Sequence, residues 1–207
     1  MNNKGVLVAF LILFYGLNAQ KILKQTIPIG NISFLQINSE NCYKVKLSTH
    51  NSNEIILAAS LEGEYQNDIV VSSIQEGATL FLETKFQMLF NNPNDKLSAH
   101  KIVSVFLDIV LPKGLSVKLL GNSTKIDLSG EYNKVEIHNI DENIILQNVE
   151  GNILAKSFSG SIILNIESGE VSANSKFGSV YSGTILKGKS NFIVNTVNGS
   201  IYINKEE

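Results

Sequence analysis

Arginine is missing from this 207-residue chain, and cysteine occurs once, at Cys42. Arginine recognises phosphate and carboxylate groups through paired hydrogen bonds, so its absence argues against nucleic-acid readout and against an arginine-dependent active site. One cysteine excludes an internal disulfide and a thiolate metal cluster. With a formal net charge of −2, the chain has no overall electrostatic attraction to nucleic acid or to an anionic membrane. These absences favour a binding or structural role over nucleic-acid chemistry.

The motifs of common enzyme classes are also missing. The three histidines, His50, His100 and His138, are scattered without metal-ligand spacing. No Ser-His-Asp order, paired-cysteine motif or phosphate-binding glycine loop occurs. The glycine turns "VEGN", "FSGS", "ESGE" and "KFGS" of the C-terminal half lack the aspartate that calcium-binding β-rolls place in each turn. We therefore expect a protein that is not an enzyme and has no cofactor and no metal site.

The first twenty residues differ in composition from the rest of the chain. Lys4 precedes an apolar run from Gly5 to Leu17, and "NAQ" closes it. A run of about thirteen residues is too short to span a bilayer, which needs about twenty, but it suits a signal peptide. We predict a signal peptide over 1–19 and a mature chain from Gln20, exported to the periplasm, outer surface or exterior with no transmembrane span. The alternative is a retained membrane anchor.

Residues 20–120 contain short apolar stretches separated by polar turns. The stretches "YKVKLS", "EIILAAS", "DIVVSSI", "ATLFLETK" and "IVSVFLDIVL" span 43–48, 54–60, 68–74, 78–85 and 102–111. They are rich in Val, Ile, Leu and Phe and show no sustained helical period, so we predict strands in antiparallel pairs. We expect this β-rich N-terminal segment to pack on the C-terminal part of the chain, residues 121–207.

From residue 126 onward, apolar residues recur every nine positions. The first series is Ile126, Val135, Ile144, Ile153, Ile162, Val171 and Val180. Two residues after each of these stands a second series: Leu128, Ile137, Leu146, Ala155, Leu164 and Ala173, ending at Ser182. Apolar side chains at i and i+2 point to one face of a strand, so each unit carries one short strand with its apolar face inward.

Two further features follow the same period. A turn-former precedes most of the units, at Asn133, Gly151, Gly160, Gly169, Gly178 and Gly199. Glycine at such positions suits a tight bend or a positive φ. A third apolar residue follows several units, at Ile140, Val149, Phe158, Ile166 and Phe177, and we expect it to turn inward at the corner. The phase slips after Tyr181, which suggests an irregular final coil that caps the open end.

A single unit cannot bury its own apolar face, whereas stacked units can. We therefore predict an all-β fold: a right-handed parallel β-helix, or solenoid, of nine-residue strand units over 121–207, preceded by the β-rich segment. An antiparallel β-sandwich is the alternative, since its turns also recur every eight to twelve residues. The period leaves open whether two or three units complete one turn.

The outward positions between the paired apolar residues are the candidate functional residues. They begin with Asp127 and Glu136, which a carbohydrate-active β-helix enzyme could use as an acid and base pair. Ile145, Leu154, Ile163 and Tyr181 follow, and we predict that these four form a contact stripe. The stripe either binds a partner or is covered by the N-terminal segment.

Two stretches carry a family resemblance: "HKIVSVFLDIVLPKGLSVKLLGNSTKIDLSG" near the start of the period and "EGNILAKSFSGSIILN" within it. Behind a signal peptide, this glycine-valine rhythm resembles the "putative adhesin" β-solenoid family of Bacteroidetes (DUF4097/DUF2807-like, head domain of "putative autotransporter adhesin"). The chain departs from the pattern where glycine is missing before Val135 and Ile144. The resemblance implies an exported, non-enzymatic cell-envelope protein, an adhesin or binding module whose partner is an envelope protein or a glycan. A structural or sensing envelope module is a further alternative.

Overall fold

The computed structural model describes residues 21–63, 67–87 and 103–205, and these form strands and turns without a helix. The predicted signal peptide lies outside the described residues. The strands are β1 (Lys21–Pro28), β2 (Phe34–Asn38), β3 (Cys42–His50), β4 (Glu54–Gly63), β5 (Ile69–Glu76), β6 (Thr79–Phe86), β7 (Val103–Pro112), β8 (Ser116–Leu120), β9 (Lys125–Asn139), β10 (Ile144–Ser157), β11 (Ile162–Ile166), β12 (Ser168–Ser175), β13 (Val180–Ser182), β14 (Leu186–Thr196) and β15 (Ile201–Lys205). The all-β prediction is confirmed.

The strands pair in two series that share β9 and β10. The front series runs β1, β4, β7, β3, β9, β10, β11, β15, β13. The back series runs β5, β6, β2, β8, β9, β10, β14, β12. β9 and β10 belong to both series because each is long. The first half of each strand pairs within the front series and the second half within the back series. Buried side chains of both series form one core cluster, so the series face each other across it.

From β8 to β11, partner residues are eighteen positions apart. Ile126 lies opposite Ile144, and Val135 lies opposite Ile153; Ile144 in turn lies opposite Ile162. Two nine-residue units therefore separate one strand from its neighbour, and successive units alternate between the front and back series. Every pairing that involves β8 to β15 is parallel.

The sheet as a whole is mixed. β1 with β4, β4 with β7, and β5 with β6 are antiparallel, as expected for the N-terminal segment. The same expectation is wrong for β2, β3 and β8, all of whose pairings are parallel. β2 pairs with β6 and β8, β3 with β7 and β9, and β8 with β2 and β9. They join the repeat edge to edge because their inward apolar residues, such as Val45 opposite Ile126, extend the same core.

The last two strands insert into the repeat instead of capping it. β14 lies between β10 and β12, and β15 lies between β11 and β13. Phe192 of β14 therefore occupies the place next to Ile153 that the period predicted for Val171. The prediction of a final capping coil is wrong, because the larger side chains of β14 and β15 bury more apolar area inside than β12 and β13 would.

The third apolar residue of each unit does not behave uniformly. Val149 and Ile166 are buried, as predicted. Ile140, Phe158 and Phe177 are 46%, 53% and 71% exposed, so the inward prediction is wrong for these three. They follow back-series strands at one corner, where the backbone amide of Phe158 bonds to the Ile140 carbonyl and that of Phe177 to the Val197 carbonyl. In each case the backbone amide donates to the neighbouring connection between strands, and the side chain is left outside.

The repeated glycines serve two different purposes. Gly151 has a φ of 128°, a backbone conformation that favours glycine. Gly160, Gly178 and Gly199 have no positive φ, and each instead lies against a backbone carbonyl of the neighbouring strand connection. For these three, glycine is required by close approach and not by turn geometry.

Cys42 is buried at 3% exposure, with its Sγ 3.6 Å from the Thr84 hydroxyl oxygen. Burial raises the pKa of this thiol to about 11, and the Thr84 hydrogen bond opposes the rise only partly. Because the folded pKa lies above the unfolded one, the folded state holds the proton longer. Stability therefore falls as the pH rises from about 9 toward about 11.

We predict that iodoacetamide leaves folded Cys42 unmodified at pH 8 and labels it fully in denaturant, as read by mass spectrometry. A Cys42→Ser variant reports the background labelling. Rapid stoichiometric labelling of the folded protein would contradict the burial of this thiol.

Candidate binding surface

Three of the four predicted stripe residues share one surface. On the front series, Ile145 lies opposite Ile163, Ile163 opposite Tyr202, and Tyr202 opposite Tyr181. Each side chain points outward, because its neighbours at i−1 and i+1 in the first three strands point into the core. We call Ile145, Ile163, Tyr202 and Tyr181 the front stripe.

Leu154 lies on the other surface. It is opposite Glu136 and Ile193, in the back series. Since both series turn their buried side chains into one core, outward residues of the back series face the opposite side of the molecule. The structure therefore separates Leu154 from the other three predicted residues, because consecutive nine-residue units belong to different series.

Tyr202 was missed because it lies beyond the phase slip after Tyr181. The signal that could have found it is local: Gly199 precedes Ile201 and Ile203, which repeats the glycine and i, i+2 apolar pattern of the earlier units. An outward residue between those two isoleucines belongs to the same stripe as Ile163 once β15 pairs with β11.

The front stripe changes from aliphatic to aromatic along its length. Ile145 and Ile163 are half-buried, whereas Tyr202 and Tyr181 are 38% and 55% exposed. The two tyrosine rings stack with centroids 5.1 Å apart and an angle of 11° between their planes. Beside them, the side-chain amide of Asn204 donates to Asn165 Oδ1 at 2.9 Å. The stripe therefore combines apolar contact area with adjacent hydrogen-bonding groups.

Beyond Ile145 the same outward row becomes charged. Asp127 lies opposite both Ile145 and Lys46, and Lys46 lies opposite Asp108. Lys44 Nζ is 2.7 Å from Asp127 Oδ2. A cavity of about 200 Å³ opens at this point, and its lining residues are Lys46, Asp127, Leu128, Ser129, Ile145 and Gln147.

Glu136 occupies the position on the back surface that Asp127 occupies on the front. His138 Nε2 donates to Glu136 Oε1 at 2.7 Å, and Lys118 Nζ lies 3.7 Å away. The hydrogen bond from His138 is the main reason that the pKa of Glu136 is below its ordinary value, with a smaller contribution from the charge of Lys118.

Asp127 and Glu136 thus face opposite sides of the molecule, so they cannot act together on one glycosidic bond as a carbohydrate-active enzyme would require. Across 21–63, 67–87 and 103–205, no group of three or more His, Cys, Asp or Glu side chains is placed to hold a metal ion.

Two larger hollows lie at a corner between the series, away from the front stripe. They measure about 500 and 550 Å³ and share Glu150, Lys189 and Ser190. Their charged side chains are exposed and of both signs, and none of the buried polar atoms without a partner belongs to their linings. Their chemistry favours no particular ligand over water.

No protein-family model matches the chain, and no curated protein sequence matches it. A solved structure does: a "putative cell adhesion protein" from Clostridium sporogenes superposes with a TM-score of 0.65 at 11% identity, covering 91% of this chain and 100% of its own. A "putative adhesin" from Bacteroides fragilis covers 91% and 98% at 13% identity, and its TM-score of 0.38 is too low to support an argument.

The chain therefore shares its fold with a protein described as a "putative cell adhesion protein", and to that extent the family resemblance predicted from the sequence is confirmed. At 11% identity the Clostridium structure shows that the fold is shared and leaves the function open. Nowhere in the described part of the chain is there a helix long and apolar enough to cross a bilayer.

Proposed function

We propose that this protein is an exported, non-enzymatic binding module of the cell envelope that holds its partner on the front stripe, in the manner of an adhesin. The observation that carries the proposal is the stripe itself: four outward side chains on four adjacent strands, in register, ending in two exposed stacked tyrosines. A row of exposed apolar and aromatic groups bordered by amides is typical of a contact surface.

The spacing of the stripe favours an extended, repetitive partner. Adjacent strands lie about 4.8 Å apart, so the stripe presents one side chain at each such step along the molecule. A glycan, whose units also repeat at short intervals, matches such a ladder. An extended segment of an envelope protein is the other partner that it suits.

We also propose the detailed architecture of the chain and its cellular compartment. We take residues 1–19 as a signal peptide, 20–120 as a β-rich segment, and 121–207 as a right-handed parallel β-helix with two units per turn. The eighteen-residue register supports the solenoid, and right-handed crossovers are the rule between parallel strands. Cell fractionation tests the compartment: recovery in the cytoplasm, with the leader uncleaved, would contradict export.

Removing the aromatic end of the stripe should strongly weaken partner binding. A Tyr181→Ser, Tyr202→Ser double variant loses the exposed rings without emptying the core, so we expect at least tenfold weaker binding in a screen of glycans and envelope extracts. Leu154→Ser with Ile193→Ser is the matched control, because it removes two outward apolar side chains from the back surface. We expect it to bind like the original protein.

The outcomes separate the alternatives. Equal binding by both double variants, with unchanged thermal unfolding, would remove the front stripe as the contact site. Capture of an envelope protein with no glycan binding would favour the structural or sensing module.

A further inference from the structure

In the described part of the chain, the stack of strands ends at β12 in the back series and at β13 in the front series. Val171 of β12 lies beside Phe192, and Val180 of β13 lies beside Ile201, each pair on one face of the sheet. Phe192 and Ile201 are buried, whereas Val171 is only partly buried and Val180 is 43% exposed. The apolar core is therefore open to solvent at this end.

The backbone edges of both strands point toward the open end. Among the described residues, β12 pairs with β14 alone and β13 with β15 alone. The amide of Lys176 donates to β14, and the carbonyl of Ser179 accepts from β15. Because the backbone groups of successive residues point to alternate sides of a strand, those of Ala173 and Val180 point away from these partners. They are positioned to pair with further strands.

Neither edge has the protection that natural edge strands commonly have, which is a lysine, a proline or a bulge within the strand. β12 reads "SGEVSANS" and β13 reads "VYS", so both lack lysine and proline. The register shift in β12 lies at its start, between Ser168 and Glu170, and the rest of the strand is regular. Edges of this kind favour pairing with another chain.

The two edges form a step. Two nine-residue units advance the stack by one strand spacing of about 4.8 Å, so one unit advances it by about half of that. Val180 follows Val171 by one unit, and β13 therefore protrudes beyond β12 by about half a strand spacing. The two strands run in opposite directions, because the chain reverses at the corner between them. A second copy, turned about a two-fold axis parallel to the strands, presents the inverse step.

From this geometry we propose that the end formed by β12 and β13 is the interface of a symmetric dimer of this chain, in which β13 of each copy pairs antiparallel with β12 of the other. Ala173 and Val180 lie equally far along the chain from the middle of the corner. The axis therefore places Ala173 opposite Val180 of the second copy, and Val171 opposite Ser182 of the second copy. Each contact occurs twice, and the apolar core continues from one copy into the other.

The matched positions favour a second copy over an unrelated partner. On the core face, Ala173 and Val180 bring together apolar side chains, so no charge is buried. On the outer face, Ser172 lies opposite Tyr181 of the second copy, and Glu170 opposite Gly183 of the second copy, so no like charges meet. The inference goes beyond the proposed function, because it concerns assembly and leaves Tyr181 on the outer face.

Charged substitutions on the core face test the interface. In sedimentation velocity of protein expressed as the full chain in an exporting host, the original protein should be a dimer that dissociates on dilution. Val180→Glu and Ala173→Lys should each raise the dissociation constant of the dimer about tenfold or more, since an unpaired charge enters both contacts. Ser172→Lys is the matched control for Ala173→Lys, because its charge lies on the outer face. It should dimerise within about twofold of the original.

Mixing variants tests the register. Val180→Glu mixed with Ala173→Lys should form a mixed dimer, because one contact gains an ion pair and the other is unchanged. Val180→Glu mixed with Val171→Lys should associate more weakly, since these two positions are not opposite each other and both charges stay unpaired.

Each result supports the dimer or overturns it. A monomer at every concentration of the original protein overturns it, and so does a dimer that Val180→Glu leaves unchanged. Equal association in the two mixtures overturns the pairing of Ala173 with Val180. Capture of a different protein by a monomeric chain assigns this end to that partner and also overturns the dimer. Partner binding on the front stripe, measured for each variant, tests the proposed function separately. Thermal unfolding confirms that each variant is folded, and Val180→Glu decides alone if Ala173→Lys is not.

Discussion

Replacing Phe192 with alanine should lower the free energy of unfolding by about 3–5 kcal/mol, the cost of emptying a large buried aromatic site. Phe192 is 1% exposed and lies between Ile153 and Val171 in the register of the back series. Gly169 makes room for it, since a Cβ there would lie 2.7 Å from Phe192 Cε2. Gly169 has no side chain that could fill, from its side, the cavity that the substitution leaves.

The effect of Phe192→Ala should also be uneven along the chain. β12 pairs with β14 and β13 with β15, so both reach the rest of the sheet only through the inserted strands. Urea unfolding followed by circular dichroism gives the loss of stability, and hydrogen exchange should show β12 amides losing protection first. Ile193→Ala is the control, because that side chain is adjacent and 49% exposed. A loss below about 1 kcal/mol for Phe192→Ala would contradict the insertion of β14.

Replacing Gly160 with alanine should cost about 3 kcal/mol, which is at the upper end for overpacking. A Cβ at Gly160 would overlap the backbone carbonyl oxygens of Asp141 and Glu142. The same relation repeats along the corner, where a Cβ at Gly199 would overlap the Gly160 carbonyl and a Cβ at Gly178 the Gly199 carbonyl. Because both sides of each contact are backbone, the strands themselves would have to separate.

Gly183→Ala is the matched control for Gly160→Ala. The nearest atom to a Cβ at Gly183 is the Ile203 carbonyl oxygen at 3.3 Å, and the residue is exposed without a positive φ. We expect a change within about 0.5 kcal/mol in the same urea experiment. Similar losses at the two positions would show that backbone propensity, and not close approach, explains the periodic glycines.

Many of the strands could be predicted from the local sequence pattern. The stretch 54–60 alternates into the core as β4, and 78–85 does so as β6. The nine-residue period also identified the inward pairs correctly from Ile126 with Leu128 to Ile162 with Leu164, all of which are buried. It was wrong for Val180, which is 43% exposed. The alternation of apolar and polar residues is a property of a single strand, so it can be recognised without knowing which strand pairs with it.

The surface was predictable only in part. Ile145, Ile163 and Tyr181 lie in one outward row, but Leu154 lies on the opposite surface and Tyr202 completes the row. The pairing of Lys44 with Asp127 joins residues more than eighty positions apart. Neither the period nor any local motif carries that information.

By itself, the sequence determined that the chain forms short strands with one apolar face, that nine residues make one unit, and that the units stack in register. These properties arise from side-chain size and alternation, which act over a few residues. Only the tertiary structure decided that two units separate neighbouring strands, that β14 and β15 enter the sheet ahead of β12 and β13, and that β12 and β13 are left as edge strands. Those outcomes depend on which of several compatible strands buries the most apolar area beside a given neighbour, and that competition is settled across the whole core.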